Sequence, residues 1–514
     1  MQKKQLTLVV VSLLVLVLSV SLAYFTTQII GKGKDVSITS TNLQIIFTDT
    51  DGKIAGSDIE PGWSATKTFT VQNNSKEEYR YNIVIKDLVN TFVTNGYLQY
   101  KITSTNSGYN MTEYADIPKS ATAKDTALAY YVSIPVGVTQ TYTIEFRYLN
   151  DEDVDQGDDM GKVLKGTLFI TEGTKEPVLL YNQILSDRGI ATTNRTTFDA
   201  AFDSTDQVLY TATEDNKTVY YFAGNVTTNW VKFGKNASNV DLYWRIIRTN
   251  SDGGVRLLYH GTNTTAIDAY IGTSAFNPTH SNSMYVGYMY GTSGSLESNR
   301  KNTNNSTIKT TIDNWYAQNM TSYTKYLSTT AVYCNDREVG SGTYVATDIS
   351  TFYYAAYTRL GTNKTPTYTC TNVNDKFTVD SSVGNGKLMY PVALMTADEV
   401  VYAGGIYGNY NANAWYFRNA KEGTLTTSSS STDASYSSTG STYWWLMSPY
   451  YWSGTNANVF RVDGSSTPDR LFNYLVSNVG GVRPALSLKS CVKYSSGDGM
   501  ADNPYTIQET ASGC

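Results

Sequence analysis

Hydrophobic positions fall into three regimes along the chain. From Leu6 to Phe25 they run without a break (LTLVVVSLLVLVLSVSLAYF) behind Lys3 and Lys4. Twenty residues of helix span about 30 Å, the thickness of a bilayer's hydrocarbon layer. Residues 6–25 are therefore expected to engage the membrane, with the lysines cytoplasmic and everything after Phe25 outside. Ser21 and Ala23 form a small-x-small cleavage site, so residues 1–34 read as either an uncleaved anchor or a removed signal peptide. Both versions predict an extracellular, cell-surface or secreted protein.

From 35 to 173 the pattern has period two. Tyr142, Ile144, Phe146 and Tyr148 alternate with polar residues, as do Tyr79, Tyr81, Ile83 and Ile85. That spacing puts one face of each strand in a core. Leu43–Phe47, Thr66–Val71, Tyr97–Thr103, Leu128–Ile134 and Leu164–Thr171 complete roughly seven strands, predicting an Ig-like β-sandwich. Residues 174–207 read as a linker with a short helix ending at Arg188. From 208 to 514 an α+β pattern is expected, so the whole chain is predicted mainly β. Trp244–Thr249 and Val255–His260 flank NSDGG as a hairpin. A helix capped by Ser306 should turn Ile308, Ile312 and Trp315 inward. A second starts at a capping box, Thr396-Ala397-Asp398-Glu399, which accounts for both carboxylates without catalysis. Leu425 to Thr442 reads as a polar loop without core-forming residues.

Composition narrows the function. The chain has 514 residues, net charge -5, two His and 42 Tyr. A slightly acidic chain is a poor phosphate neutraliser, so no nucleic-acid partner is expected. Two His leave little for a relay or a metal site. Neither His260 nor His280 has a Ser, Asp or metal partner in sequence, and no enzyme, cofactor or metal is predicted. The acidic run Asn150–Gly161 lacks the Gly and Glu that an EF-hand loop needs, and reads as a solvated hairpin tip. Four cysteines suit an oxidising exterior. Of the three pairings, the sequential one, Cys334–Cys370 and Cys491–Cys514, closes the shortest loops, with free buried thiols as the alternative.

Three resemblances follow from particular residues. Ile59–Ile85 (IEPGWSATKTFTVQNNSKEEYRYNIVI) and Ala23–Thr26 resemble the camelysin and biofilm-matrix-fibre family of exported bacterial sandwiches. That family's protease claims do not carry over, because the segment has no His. Tyr443–Pro449 (YWWLMSP) and Gly481–Leu488 (GVRPALSL) resemble the formylglycine-generating-enzyme branch of the C-type-lectin fold. This implies structural roles for Trp444, Trp445, Arg483 and Pro484. The branch's activity needs a cysteine pair, and no cysteine lies between Cys370 and Cys491.

The same frame is similar to the variable proteins of diversity-generating retroelements, in which adenine-directed mutation randomises a ligand-binding face. The resemblance implies a variable region over about 449–482, on a C-type-lectin-like domain, facing an external ligand. Its implied contact residues are Tyr450, Tyr451, Trp452, Ser453, Phe460, Arg461, Asp463, Ser465, Ser466, Asp469, Arg470, Phe472, Tyr474 and Leu475. Gly454, Ala457, Val459, Val462, Gly464, Pro468 and Leu471 are expected as scaffold. Trp452 also admits burial, and Phe460 and Phe472 fit core or contact equally. The Tyr, Trp, Ser and Asn mixture suits a paratope, where rigid rings supply area at little entropic cost. Alternatives are an undiversified lectin-like module, or a structural matrix fibre or adhesin subunit assembled through the sandwich.

Overall fold

The computed structural model describes residues 36–40, 43–49, 53–55, 59–74, 78–173, 178–411, 413–421, 431–510 and 513–514. The expected membrane or signal segment, residues 6–25, lies outside them. Among the described residues no helix is long and apolar enough to cross a membrane. The chain divides into two compact units, with the boundary at Glu176/Pro177.

The first unit has ten strands: β1 Val36–Ser40, β2 Leu43–Asp49, β3 Lys53–Ala55, β4 Ser64–Asn73, β5 Tyr79–Asn90, β6 Leu98–Ser104, β7 Ala115–Asp116, β8 Ser120–Ile134, β9 Thr139–Tyr148 and β10 Leu164–Glu172. They form two antiparallel sheets, ordered β1-β2-β4-β9-β6-β7 and β3-β10-β5-β8. One core draws on both: Phe69, Ile102, Tyr142, Ile144 and Phe146 from the first, Tyr81, Ile83, Ile85, Leu168 and Ile170 from the second. The inward tyrosines keep their hydroxyls satisfied, as burial requires. Tyr81 Oη lies 2.5 Å from Tyr142 Oη and donates to Gln140 at 2.6 Å. The period-two reading finds the long strands but not β1, β3 and β7; the last two, of three and two residues, are too short for alternation to register.

The stretch 150–161 does not join a hairpin. It carries the chain from β9 in one sheet to β10 in the other. Asp159 is buried and accepts from the Val93 and Thr94 amides at 2.5 and 3.3 Å and from Tyr148 Oη at 2.9 Å. The hairpin expectation is corrected accordingly: the stretch is largely solvated, but it crosses between sheets, and this carboxylate clamps the crossover.

The second unit contains a larger mixed sheet in the order Val392–Leu394, Pro484–Leu488, Val255–Gly261, Asp241–Thr249, Trp230–Lys235, Tyr505–Ile507, Tyr494–Ser496. A second sheet centres on Trp444–Trp452, flanked by Phe352–Tyr354 and Ala457–Val462, the latter pairing with Leu471–Leu475. One hydrophobic core spans both sheets. The helix Leu180–Arg188 buries Leu180 and Ile184 in that core, and the Leu180 amide donates to Val492 O at 2.9 Å. The helix expected to link two domains is thus a built-in part of the second. Of the polar loop, Ser437, Ser438 and Thr439 are buried; Ser438 Oγ donates to Tyr416 O at 3.2 Å and Ser437 Oγ accepts from the Thr439 amide at 3.2 Å.

The helix Thr307–Asn319 buries Ile308, Ile312 and Tyr316; Trp315 is half-buried, edge-on to Tyr259 at 5.4 Å. Ser306 Oγ accepts from the Lys309 amide at 3.2 Å and donates to Tyr288 O at 2.7 Å. Ser306→Ala removes the cap and one of the two donors to the buried Tyr288 carbonyl, whose other donor is the Ser306 amide at 3.2 Å. It should cost about 1–2 kcal/mol, read from the urea unfolding midpoint.

Both disulfides join sequential partners, Cys334–Cys370 and Cys491–Cys514, and no cysteine is free among the described residues. They indicate an oxidising, extracellular-type environment.

Candidate functional site

The region 449–482 folds as the end of Trp444–Trp452, a return strand Ala457–Val462, and the outer strand Leu471–Leu475. The strand Trp444–Trp452 is apolar on both faces because it lies between sheet neighbours and the core; Trp444, Trp445, Leu446 and Met447 are completely buried. Trp445 Nε1 donates to Ser274 O at 2.9 Å. Arg483 is also completely buried. Its guanidinium lies 4.8 Å from the Trp444 ring and donates to Tyr416 O at 2.6 Å, Tyr259 O at 3.2 Å and Ser438 Oγ at 3.2 Å. Burial pulls its pKa down to about 9, against the pull of Asp469. Pro484 opens the next strand, opposite Leu394.

Six of the fourteen expected contact residues are buried: Tyr450, Trp452, Phe460, Asp463, Ser465 and Asp469. Each has a structural reason. Trp452 Nε1 donates to Asp348 O at 2.8 Å, and Phe460 packs edge-on to Tyr450 at 5.0 Å. Tyr450 Oη lies 2.5 Å from Tyr407 Oη. Asp469 accepts from Tyr416 Oη at 2.7 Å, and burial pushes its carboxyl well above the usual range. Asp463 pairs with Arg461 at 2.9 Å and Arg470 at 2.8 Å. Ser465 donates its amide to Gly440 O at 2.7 Å. These six leave the contact surface. All seven residues expected as scaffold are buried.

Tyr451, Ser453, Arg461, Ser466, Arg470, Phe472, Tyr474 and Leu475 remain accessible. Strand register sets Arg461 opposite Phe472 and Val459 opposite Tyr474. Residues directly opposite share a face, as do residues two apart. Arg461, Phe472 and Tyr474 therefore emerge together. The Arg461 guanidinium lies 4.5 Å from the Tyr443 ring and 4.3 Å from the Tyr474 ring. Arg470 covers Phe472 at 4.6 Å, and Phe472 stacks on Tyr407 at 5.7 Å. Farther along, Tyr451 stacks on Tyr353 at 5.6 Å, and Tyr353 on Tyr357 at 4.4 Å. Burial raises the Tyr451 hydroxyl's pKa, with Tyr353 adding to it.

Such a surface can grip a partner through rigid rings and guanidinium planes. Sequence reasoning missed Tyr353, Tyr357, Tyr407 and Tyr443. The first three come from distant segments, the nearest being Tyr407, 43 residues from Tyr450, and nothing local marks them as neighbours of Tyr451 and Phe472. His280, read as partnerless, meets Ser477 across the fold: its Nδ1 is 2.7 Å from Ser477 Oγ. The cause is the same long-range pairing. Among the described residues no group of three or more His, Cys, Asp or Glu is arranged to hold a metal.

Two features therefore define the class: a β-rich, disulfide-bonded chain of two units, with an aromatic and guanidinium surface on the outer hairpin of the second. Residues 294–490 match a family model described as a domain of unknown function, DUF6273. That match takes in the helix Thr307–Asn319, the capping box and the whole aromatic hairpin. No curated protein matches the chain.

Proposed function

We propose that this is a bacterial cell-surface ligand-binding protein, held by residues 6–25 or secreted, in which the sandwich acts as a stalk. On this reading the second unit is a C-type-lectin-like domain of the formylglycine-generating-enzyme type. It presents its outer hairpin to an external ligand, a protein or other surface molecule. The observation that carries it is the Arg461 guanidinium held against both the Tyr443 and Tyr474 rings, with Tyr474 39% exposed. Aromatic and arginine side chains already ordered in the free protein lose little entropy on binding, and such residues dominate binding energy. The fully buried Arg483 within Gly481-Val482-Arg483-Pro484 supports the lectin-like frame.

Retroelement diversification belongs to the same proposal, restricted to the eight accessible positions; the six buried ones would break the fold if randomised. A near-copy of the codons for about 449–482 should lie beside a reverse-transcriptase gene, differing almost only at adenines. Absence of that repeat removes diversification but leaves binding. For binding itself, labelled full-length protein on intact bacterial cells should lose affinity about thirtyfold when Tyr474 is replaced by Ala and Arg461 by Lys, which keeps a cation beside the buried Asp463. Undiminished binding would end the reading.

The competing proposal is a structural subunit assembled through the sandwich. It is favoured by β8, fifteen residues long and paired on one side only among the described residues. Unpaired edges template assembly. Purified protein that polymerises, and stops doing so when a proline is placed in β8, would favour it.

A further inference from the structure

Arginines buried in the second unit are matched by carboxylates almost everywhere. Arg248 pairs with Glu214 and Glu399, Arg256 with Glu399, and Arg337 with Asp375, all within 3.1 Å. Arg483, whose acceptors are all neutral, and Arg245 break the pattern, and of the two only Arg245 lines open space. It is 2% exposed, yet its guanidinium meets only neutral acceptors: Asn229 Oδ1 at 2.6 Å, Val226 O at 2.7 Å and Arg418 O at 3.4 Å. Its planar face covers the Trp230 ring at 4.1 Å. Arg418 stands beside it, its Nε buried without an acceptor. Neither arginine has a carboxylate partner among the described residues. A buried guanidinium lacking a countercharge is costly, because lost hydration is not replaced by an opposite charge.

Both arginines wall one cavity of about 640 Å3. Lys421 adds a third cation at its edge, and the single carboxylate on the wall, Asp502, is exposed. Behind the wall Arg483 adds another positive charge; burial, with Arg483 and Arg245 next, holds His260 neutral by driving its pKa far down. Burial first, then the charges of Arg483 and Arg418, also pull Arg245 well below its ordinary value. The fold thus leaves positive charge uncompensated where space opens. An anion entering this space would supply what Asp and Glu supply elsewhere.

The chemistry of that anion follows from the donors. The nitrogens of Arg245 already meet protein acceptors, so it offers charge and little directional bonding. The Arg418 guanidinium is the one fork with bonds to give. A fork with parallel N–H groups matches the two oxygens of a carboxylate. The cavity far exceeds a bare carboxylate and falls in the range of pockets that enclose small organic ligands. Asn225, Thr227 and Thr264 give its wall amide and hydroxyl groups, beside Val226 and Met500. We propose that this cavity binds a small hydroxyl-rich carboxylate of the sugar-acid class, gripped by Arg418 over the buried charge of Arg245. It shares no residue with the aromatic hairpin, so either site can fail alone.

Titration of the full chain with sodium glucuronate, with glucose and inorganic phosphate in parallel, tests this. Glucuronate should bind saturably below about 10 mM and raise the thermal midpoint by a few degrees at saturation. Glucose should do neither, and phosphate should bind more weakly. Arg418→Gln should cut glucuronate affinity at least about tenfold while leaving the ligand-free midpoint in place, since Arg418 has no side-chain partner to lose. Arg418→Lys, which keeps charge but not the fork, should fall between the two and serves if the Gln variant misfolds. Equal binding of glucose and glucuronate, tighter binding of phosphate, no saturable binding, or wild-type affinity in both variants would overturn the assignment.

Discussion

Replacing Glu399 by Ala should destabilise the second unit by about 3–5 kcal/mol, a large share of a domain's total stability. Glu399 is 1% exposed and sits at the centre of a buried ionic network. Its Oε1 accepts from Arg256 Nη1 at 2.7 Å and Arg248 Nε at 3.1 Å, and its Oε2 accepts from the Thr396 amide at 2.9 Å. The first two bonds neutralise guanidiniums from neighbouring strands of the larger sheet; the third closes the capping box of the helix Ala397–Tyr402. The Ala variant takes the carboxylate partner from Arg256, leaves Arg248 with Glu214 alone, and removes the reciprocal half of the capping box. Glu399→Gln keeps the shape and the cap but not the charge, so it should fall between wild type and Ala. Glu338, paired with Arg300 at 3.0 Å but 42% exposed at its side chain, is the control. Its Gln variant should cost under about 1 kcal/mol because solvent screens the pair. Urea unfolding separates the three, and a Glu399→Ala midpoint equal to that of Glu338→Gln would refute the network's role.

The same network sets a pH dependence. Burial alone would raise Glu214, but the Arg248 guanidinium overrides it and brings the carboxyl down to about 2. Glu399 is likewise held low: burial opposes, and Arg256 and Arg248 prevail. A carboxylate with a depressed folded pKa stabilises fully above its unfolded value and loses that contribution as pH falls through the folded one. The unfolded value is about 4.3, so stability should drop between about pH 4.5 and 2. Glu399→Gln should flatten part of that drop.

The second large effect is expected from the Cys334–Cys370 bridge. Its partners lie 36 residues apart, against 23 for Cys491–Cys514. Loop-closure entropy then predicts losses of about 3.8 and about 3.4 kcal/mol when each is removed. The longer loop also carries Arg337 and Arg359, whose ion pairs with Asp375, Asp336 and Asp398 need the segment in register. The Cys334→Ser, Cys370→Ser double variant should therefore unfold at lower urea than Cys491→Ser, Cys514→Ser. The reverse order would mean that loop length does not govern these bridges.

Local signals in the chain were strong wherever the responsible contact was local. Tyr142 to Tyr148 alternate because each second side chain faces the opposing sheet. Thr396 and Glu399 sit three apart because a helix start needs both. The Gly481-Val482-Arg483-Pro484 and Trp444-Trp445 pieces mark the centre of the second core. The candidate face was only half legible. Composition identified the segment 449–482, yet it could not separate Phe460, turned inward, from Phe472, half-exposed on the partnering strand. Tyr and Ser serve either environment, so alternation there has no contrast to display.

Hydrophobic spacing, caps and cysteine order thus determined by themselves a β-rich chain with a sandwich first, two sequential disulfides and an aromatic segment near the end. Tertiary structure alone decided which of its 42 tyrosines meet. It also decided that Glu399 is an ionic centre rather than merely a cap, and that Arg245 is a charge without a partner. The reason is distance along the chain. Glu399 lies 151 and 143 residues from Arg248 and Arg256, and Arg418 lies 173 from Arg245. Pattern along a strand or helix records which face is buried, but not which charge or ring the fold brings to that face from elsewhere.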